Sequence, residues 1–414
     1  MEKLAMEGGR PVINYNIPSW NDISGRDIGE EEKRLVLEVL KSGRLGMVCG
    51  TKVKELQLLW AKKCGVDTAV AVSSGTAALH TALIYACIGA GDEVLVPCST
   101  DMGTIIAVLL QNAVPVFVDV DVLTQNMDAT DLGHKITPRS KAVIPVHMFG
   151  LACDMDAIMK IARAHNLTVV EDCCQAHFAQ YKGKFVGTIG DAGCFSFQQT
   201  KHITAGEGGM VITNGDSRFG RRLQLCGDKG WPREKYRDHY FLAPNYHLTD
   251  LQAAVALPQL GRISQSLEAR RLSAGTLTKI LSELDGVTPP PEPEGYKHTY
   301  FAYQFMIDPE PFTVGRDALV KAICAEGLPI LPSYLPQPLY RYDFLQNIKM
   351  YNATRCPVVC GYYDGQVDYT KTICEKGETA CKVGFFMQWN ERITVAQAKD
   401  MGLAIAKVMR FYHK

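Results

Sequence analysis

Short apolar runs alternate with amphipathic segments along most of the chain. The apolar runs, which are rich in β-branched residues, lie at 69–72, 93–96, 114–118, 142–146, 168–170 and 210–213. Strands that are apolar on both faces are typical of a parallel sheet covered by helices on each side. The pattern therefore predicts an α/β fold in which a mostly parallel sheet is sandwiched between helices.

Apolar residues at helical spacing mark the segments between and after these runs. They predict helices at 30–42, 53–64, 104–111, 129–136, 155–165, 217–226, 251–260, 263–284, 316–326 and 394–412. The segment 227–240 is polar, charged and aromatic. It predicts a mobile surface loop or, as the alternative, a flap over an active site.

These elements divide the chain into three parts. Residues 1–25 contain several glycines and prolines and predict an irregular N-terminal arm. Residues 26–265 carry the alternating pattern and predict one large domain. Residues 266–414 combine strand-like alternation in YFAYQFMID with helical patterns, so they predict a small C-terminal α+β domain.

Two polar side chains follow apolar runs of the predicted sheet. Asp172 follows the run at 168–170, and Lys201 follows the run in GCFSFQQT. Since the carboxyl ends of parallel strands meet at one edge of a sheet, both side chains are expected in one crevice. An amine and a carboxylate placed in this way suit pyridoxal phosphate chemistry. The alternative is a buried ion pair with a structural role only.

Composition narrows the partners and the compartment. The chain has 44 basic and 44 acidic residues and no block of like charge, which argues against nucleic-acid and anionic-membrane partners. The N-terminus lacks the pattern of a signal peptide, so the 14 scattered cysteines are interpreted as reduced thiols in the cytoplasm. Neither Cys173–Cys174 nor Cys356/Cys360 has zinc-site spacing, and no metal centre is predicted.

The pieces EDCCQAH, GTIGDAGCFSF and TKHITAGEGGMV occur in this order. Together they resemble the signature of the DegT/DnrJ/EryC1/StrS family of aminotransferases. The resemblance implies fold type I of aspartate aminotransferase and the cofactor pyridoxal 5'-phosphate. By the same resemblance, Lys201 is the Schiff-base lysine, Asp172 the partner of the pyridine nitrogen, Gln175 the contact to the ring hydroxyl and Ser196 a phosphate ligand.

The turn SGTAAL predicts a helix start, where main-chain amides and the helix dipole form an anion site. The resemblance makes Gly75 and Thr76 the phosphate loop. It also implies that Asn245 reaches the phosphate region of a neighbouring subunit, which predicts a homodimer with shared active sites. His247 stands where the family usually has arginine or lysine. The alternative for Asn245 is the N-cap of the following helix.

One position departs from the family pattern. Aligning VPCSTDMGTIIAV places Asp101, with Met102 beside it, where an aromatic side chain usually stacks on the cofactor. A carboxylate cannot stack in this way. Either a neighbouring side chain covers the ring, or the carboxylate acts on the substrate. Asp101 and Met102 are therefore candidate cofactor contacts, and His177 and His247 are candidate substrate contacts.

The predicted function is pyridoxal-phosphate-dependent transfer of an amino group from glutamine or glutamate to a keto-sugar or keto-cyclitol. The mechanism would be ping-pong, in amino-sugar or antibiotic biosynthesis. IPVHMFG and FSFQQTK resemble scyllo-inosose aminotransferases, although nucleotide-sugar enzymes share nearly all of these motifs. Lysine at 201 favours transamination over the related dehydratases, which carry histidine there. A lyase, dehydratase or isomerase with the same cofactor, and a non-enzymatic regulator, remain alternatives.

Overall fold

The structure is a computed structural model that describes residues 3–215, 217–234, 238–351 and 354–414. Its strands are β1 (Thr68–Val72), β2 (Glu93–Pro97), β3 (Val114–Val118), β4 (Ser140–Val143), β5 (Thr168–Asp172), β6 (Gln180–Tyr181), β7 (Lys184–Phe185), β8 (Ala192–Ser196), β9 (Gly209–Thr213), β10 (Val287–Thr288), β11 (Tyr296–Lys297), β12 (Ala302–Ile307) and β13 (Gly384–Gln388). Its α-helices are α1 (Glu30–Ser42), α2 (Lys52–Cys64), α3 (Gly75–Tyr85), α4 (Met102–Leu110), α5 (Ala129–Lys135), α6 (Met155–Ala164), α7 (Ser217–Cys226), α8 (Asp250–Leu281), α9 (Arg316–Ala325), α10 (Asp343–Gln346), α11 (Glu375–Val383) and α12 (Val395–Tyr412).

Seven strands form the central sheet, in the order β1-β9-β8-β5-β4-β2-β3. Neighbours from β8 to β3 pair in parallel, whereas β9 is antiparallel to both β8 and β1. Both faces are buried, because Val70 and Val72 of β1 belong to one hydrophobic cluster and Ala69 and Ala71 to another. The predicted fold class, a mostly parallel sheet between helices, is confirmed.

The largest differences from the sequence-based prediction concern β4 and α8. The strand expected at 142–146 ends at Val143. Pro145 lacks a main-chain N–H and is a poor residue for a central strand, and only its carbonyl pairs, with the amide of Asp172. The helices expected at 251–260 and 263–284 are one continuous helix, α8, which contains Pro258.

Helix α8 is continuous because its buried face is continuous. Leu260, Ile263 and Leu267 follow one another at helical spacing and all lie in the same cluster. The proposed domain boundary between residues 265 and 266 falls inside this helix. The division into domains therefore stays a prediction.

The C-terminal part contains a second sheet, β10-β12-β13, whose strands are antiparallel. Helix α8 is joined to this part by Arg270, which is fully buried. Its guanidinium donates to the main-chain carbonyls of Tyr300 (3.0 Å) and Trp389 (2.7 Å) and pairs with Glu391 (2.7 Å). One buried cation thus joins α8 to the residues that flank β12 and β13.

All 14 cysteines are free thiols. In the described part of the chain, no helix combines the length and the apolar character needed to cross a bilayer.

Candidate active site

A cavity of about 450 Å³ opens at the carboxyl edge of the central sheet. It brings together seven of the residues predicted from the sequence: Gly75, Thr76, Asp101, Asp172, Gln175, Ser196 and Lys201. Strands β5 and β8 are adjacent and parallel, and they end at Asp172 and Ser196 respectively. The expectation that Asp172 and Lys201 share one crevice is therefore confirmed. Four predicted residues, Met102, His177, Asn245 and His247, do not line it.

The amine of Lys201 faces an aromatic surface. Its Nζ lies 4.2 Å from the centroid of the Phe301 ring. Burial lowers the pKa of Lys201, while the thiol of Cys174 and the carboxylates of Asp101 and Asp172 act in the opposite direction. Because desolvation outweighs these opposing groups, the neutral amine is more accessible here than on a solvated lysine. A neutral amine is the form that attacks a carbonyl group.

The carboxylate of Asp172 is fixed by two hydrogen bonds. Its Oδ2 accepts from the Thr104 hydroxyl at 2.9 Å, and its Oδ1 accepts from the Cys174 amide at 3.0 Å. The side chain is 3 % exposed and lines the cavity. Thr104 was not among the predicted site residues. Its place in the first turn of α4, three residues after Asp101, is the only sequence signal that points to it.

The carboxylate that precedes Asp172 points away from the cavity. Glu171 is fully buried and accepts hydrogen bonds from the main-chain amides of Gly187, Ile189 and Gly190 at 2.6–2.8 Å. The ring Nε2 of His147 lies 3.0 Å from its Oε2. This network joins β5 to the segment that leads into β8. It therefore holds the strand from the side opposite Asp172.

The start of α3 forms a cradle suited to a phosphate group. Ser74 caps the helix by accepting from the Ala77 amide, so the amides of the first turn face the cavity side of the helix start. A Cβ atom on Gly75 would lie 2.8 Å from the Cβ of Ser196. Only glycine permits this close approach of the backbone to Ser196.

Gln175 is held between the segment that follows β4 and the C-terminal part. Its Oε1 accepts from the Phe149 amide at 3.0 Å, and its Nε2 donates to the Tyr334 hydroxyl at 3.3 Å. The side chain is nearly fully buried yet lines the cavity. An amide in this position can present a donor or an acceptor to a ring oxygen.

Asp101 has a structural role that explains its position. It is the N-cap of α4, and its Oδ1 accepts from the Gly103 amide at 2.8 Å. The residue is exposed, and it lines the mouth of the cavity. A carboxylate therefore occupies the position where the resembling family carries an aromatic side chain.

Aromatic side chains do line the cavity, but they come from distant parts of the chain: Trp20, Phe301, Tyr334 and Phe386. Sequence reasoning missed all four. None follows a motif, and each reaches the cavity only through tertiary packing against the large sheet. Trp20 lies in the arm that was predicted to be irregular.

Two predicted contacts are corrected by the structure. Met102 is half-buried and packs against the hydrophobic core beneath α4. His177 is fully buried, and the centroid of its ring lies 5.7 Å from that of Trp60 and 5.3 Å from that of His202. The chain turns after Gln175, so the side chain two residues later enters the interior instead of the cavity.

Asn245 and His247 lie outside this cavity. Asn245 is exposed, and the N-cap of α8 is Thr249, so the N-cap alternative for Asn245 is wrong. His247 lines a second cavity of about 300 Å³ together with Arg233 and Asp228, and its Nε2 lies 2.8 Å from the Oδ1 of Asp228.

Partial burial lowers the pKa of His247 in spite of the nearby Asp228 carboxylate. It therefore does not supply the positive charge of an arginine near pH 7. The loop at 227–240, predicted as a surface loop or flap, lies only partly within the described residues, because 235–237 fall outside them.

The residues of the cavity fit pyridoxal phosphate on structural grounds. The Gly75 backbone approaches Ser196 so closely that no side chain fits between them. The first turn of α3 and the Ser196 side chain thus line one side of the same cavity, where main-chain amides and a hydroxyl are available to an anion. The Lys201 amine, whose pKa is lowered, suits the aldehyde of the cofactor. The fixed Asp172 carboxylate suits the ring nitrogen.

Two clusters of possible metal ligands occur among the described residues, Cys98/Asp119/Cys374 and His147/Glu171/Cys173. In the second cluster the Glu171 oxygens already accept from three main-chain amides. The expectation that the protein has no metal centre stays a prediction.

Three comparisons with known proteins agree with this geometry. The profile of the DegT/DnrJ/EryC1/StrS aminotransferase family matches residues 26–368. The chain is 38 % identical to a GDP-perosamine synthase from Caulobacter vibrioides, over 78 % of this chain and 87 % of that protein. It is 35 % identical to a putative L-glutamine:3-amino-2,3-dideoxy-scyllo-inosose aminotransferase from Streptoalloteichus tenebrarius, over 82 % of each chain.

Solved structures show the same fold. An aminotransferase from Psychrobacter cryohalolentis is similar with a TM-score of 0.82 and 28 % identity, over 94 % of this chain and 98 % of that chain. S. venezuelae DesV in complex with a ketimine intermediate is similar with a TM-score of 0.80 and 27 % identity, over 92 % of this chain and 94 % of that chain.

The buried His177 predicts a specific loss of stability in acid. Burial lowers the pKa of His177 to about 3, against roughly 6.5 in an unfolded chain. Between these values the unfolded chain binds more protons, so the free energy of unfolding decreases as the pH falls. We expect His177→Gln to reduce the slope of stability against pH by up to ~1.4 kcal/mol per pH unit. Urea unfolding at a series of pH values from 4 to 8 measures it.

His413→Gln is the matched control for this experiment. His413 is exposed, and a hydrogen bond with Asp285 raises its pKa. The contribution of His413 to the free energy of unfolding is therefore present at low pH and is lost as the pH rises. This pH dependence is opposite in sign to that of His177. Equal slopes for His177→Gln and the unaltered protein would show that the buried ring is not the source of the acid sensitivity.

Proposed function

The chain belongs to the DegT/DnrJ/EryC1/StrS aminotransferase family, and from this premise we propose that it moves an amino group from glutamine or glutamate to a keto-sugar or keto-cyclitol by a ping-pong mechanism. It is a pyridoxal-phosphate-dependent aminotransferase. The observation that carries the proposal is the convergence of the Lys201 amine and the Asp172 carboxylate on one cavity, beside an anion cradle at the start of α3.

Each cofactor contact is proposed from the side chains of the cavity. The first-turn amides of α3, at Gly75 and Thr76, together with the Ser196 hydroxyl would hold the phosphate. The carboxylate of Asp172 would keep the ring nitrogen protonated, and Gln175 would face the ring oxygen. When bound, pyridoxal phosphate supplies an electron-withdrawing ring that holds the amino group between the two half-reactions.

Lys201 is proposed to act twice. It would anchor the cofactor covalently, and its Nζ, once released, would remove and return the proton at the reacting carbon of the substrate. The lowered pKa of this amine favours the second role, because only the unprotonated form accepts a proton. On one side this amine lies against the Phe301 ring.

The mouth of the cavity suits a polyhydroxylated ring. Trp20 and Phe386 offer apolar faces, and the exposed carboxylates of Asp101 and Glu207 offer hydrogen-bond acceptors. Sugars and cyclitols have apolar ring faces and hydroxyl groups at the edge, which match such a wall. We propose that the Asp101 carboxylate faces the amino-group acceptor. Trp20 and Phe386 would then cover part of the cofactor ring, which the family usually covers with a stacked aromatic residue.

We propose further that two chains form a homodimer with shared active sites. Asn245 is exposed and does not line the cavity of its own chain, although the resemblance implies a phosphate contact for it. A two-fold dimer places the same patch on both sides of the axis, so each chain could complete the site of the other. His247 lies beside Asp228, and its pKa is lowered. We propose that it contributes a hydrogen bond to the shared site next to Asn245, and not a positive charge.

Covalent attachment at Lys201 is the first test. Borohydride reduction of the purified holoenzyme, followed by peptide mapping, should label Lys201 because its amine is the only predicted anchor in the cavity. Lys201→Ala should retain some cofactor through the phosphate contacts and lose turnover. Lys182→Ala, which removes an exposed lysine paired with Asp156, serves as the control and should retain both. A label on another lysine would contradict the assignment.

Asp172→Asn should lower turnover far more than cofactor affinity. The amide oxygen of asparagine can still accept from the Cys174 amide, but its Nδ2 cannot accept from the Thr104 hydroxyl, and the neutral group cannot hold the ring nitrogen protonated. We expect kcat to fall roughly 100-fold or more, as when one preorganised electrostatic group is removed. Steady-state kinetics and equilibrium cofactor titration measure the two effects. Asp128→Asn, which changes a helix cap on α5, is the control. Near-normal turnover of Asp172→Asn would show that another acid serves the ring.

The shared site predicts complementation between two inactive variants. Lys201→Ala and Asn245→Ala are expected to be inactive alone. A mixed dimer should contain one site with both residues intact and should recover part of the activity. Activity of the mixture, measured after subunit exchange has been demonstrated by mass spectrometry, tests this. If the mixture stays as inactive as its parents, Asn245 acts within its own chain or has no role.

A further inference from the structure

Arg26 lies behind the main chain of Lys201. The side chain is 3 % exposed. Its Nη1 donates to the carbonyl oxygen of Lys201 at 2.7 Å, and its Nε donates to the carbonyl oxygen of Trp20 at 3.0 Å. One guanidinium therefore joins the N-terminal arm to the residue that carries the reactive amine.

The segment of the arm around Trp20 is fixed by further contacts. The amide of Trp20 donates to the Oε1 of Gln388 at 3.1 Å, and its carbonyl accepts from the Nε2 of Gln199 at 3.2 Å. The Nδ2 of Asn390 donates to the carbonyl of Pro18 at 2.7 Å. The arm is thus held between β13 and the loop that contains Lys201.

The same arm also contacts the amine end of the lysine. The indole of Trp20 stacks on the ring of Phe301, with centroids 5.1 Å apart and planes inclined by 24°. That ring is the surface on which the Lys201 Nζ lies, at 4.2 Å. Arg26 holds the carbonyl of Lys201, and Trp20 supports the ring beneath its amine. Both ends of one residue are therefore positioned by the arm.

The buried guanidinium of Arg26 is energetically unfavourable in one respect, which a purely structural role does not explain. The Nη2 of Arg26 is buried and has no hydrogen-bond partner within the described part of the chain. Burial, together with the nearby charge of Arg270, lowers the pKa of Arg26 to about 10. A buried cation with incomplete hydrogen bonding is destabilising relative to an apolar side chain of similar size.

We propose that Arg26 is a positioning residue for the reaction: it sets the place of Lys201 and places a fixed positive charge beside it. The inference rests on the proposed function, since it assumes that Lys201 bears the cofactor. Two effects follow. Placement of the amine affects the chemical step more than substrate binding, because misplacement by about 1 Å costs up to roughly 100-fold in rate. A neighbouring positive charge lowers the pKa of a protonated nitrogen attached to Lys201.

Arg26→Met and Arg26→Lys in the full-length holoenzyme test the proposal. The absorbance of the bound cofactor is titrated against pH without substrate, and kcat and KM are measured with substrates. For Arg26→Met we expect the titration midpoint to rise by about 0.5 pH unit or more, because a positive charge is lost. We expect kcat to fall by ~10-fold or more with a smaller change in KM. Arg26→Lys should restore the midpoint, since it keeps the charge.

Arg271→Met is the matched control. Arg271 is half-buried, donates to the main-chain carbonyl of His298 and pairs with Glu292, and among the described residues it forms no hydrogen bond with Lys201. The Arg271→Met substitution should leave both the midpoint of the absorbance titration and kcat unchanged. If Arg26→Met does not fold, Arg26→Gln provides the same neutral change with hydrogen-bond donors retained.

Three results would overturn the inference. The first is an unchanged midpoint and kcat in a neutral Arg26 variant whose only defect is a lower melting temperature. The second is the same shift in the Arg271→Met control. The third is that the unaltered protein shows no pH-dependent absorbance band from a cofactor attached to Lys201, which would overturn the proposed function as well. The first two leave the proposed function intact, so the two failures are distinguishable.

Discussion

The pairing register of β5 determines which of two neighbouring carboxylates reaches the cavity. Successive side chains of a strand point to opposite faces, so a slip of one residue would turn Glu171 toward the cavity and Asp172 away from it. Three main-chain amides and His147 bind the Glu171 carboxylate on the far side. The register with β8, in which Asp172 lies opposite Cys194, is thereby locked. Every contact of the cavity depends on this choice.

The environment of Lys201 is a second constraint on the rest of the molecule. Burial of this amine against an aromatic surface favours its neutral form more than the nearby Asp101 and Asp172 carboxylates favour its charged form. The ring of Phe301 provides this surface, and Trp20 supports it from behind. The site is consequently assembled from three separate parts of the chain: the large sheet, the N-terminal arm and the C-terminal part.

The part of this structure that could be predicted from the sequence is the part encoded locally. Period-two and helical patterns identify the central sheet, and the motif around Asp172 and Lys201 identifies the edge where the chemistry lies. Phe301 and Tyr334 were missed because they follow no motif and meet the sheet only through tertiary packing. His177 was misplaced because closeness to Gln175 in sequence does not specify which way a side chain points after a turn.

The unbroken helix α8 has a consequence for building chimaeras with relatives. A junction at residue 265 would cut a helix that packs on the large sheet with one end and on the C-terminal part with the other. A junction after Leu281 would keep the helix whole. Arg270 would then have to find its partners in the foreign segment, but two of them, at Tyr300 and Trp389, are main-chain carbonyls. Any segment with the same backbone path supplies these, so the cavity residues Phe301, Tyr334 and Phe386 could be exchanged together while the large sheet is kept.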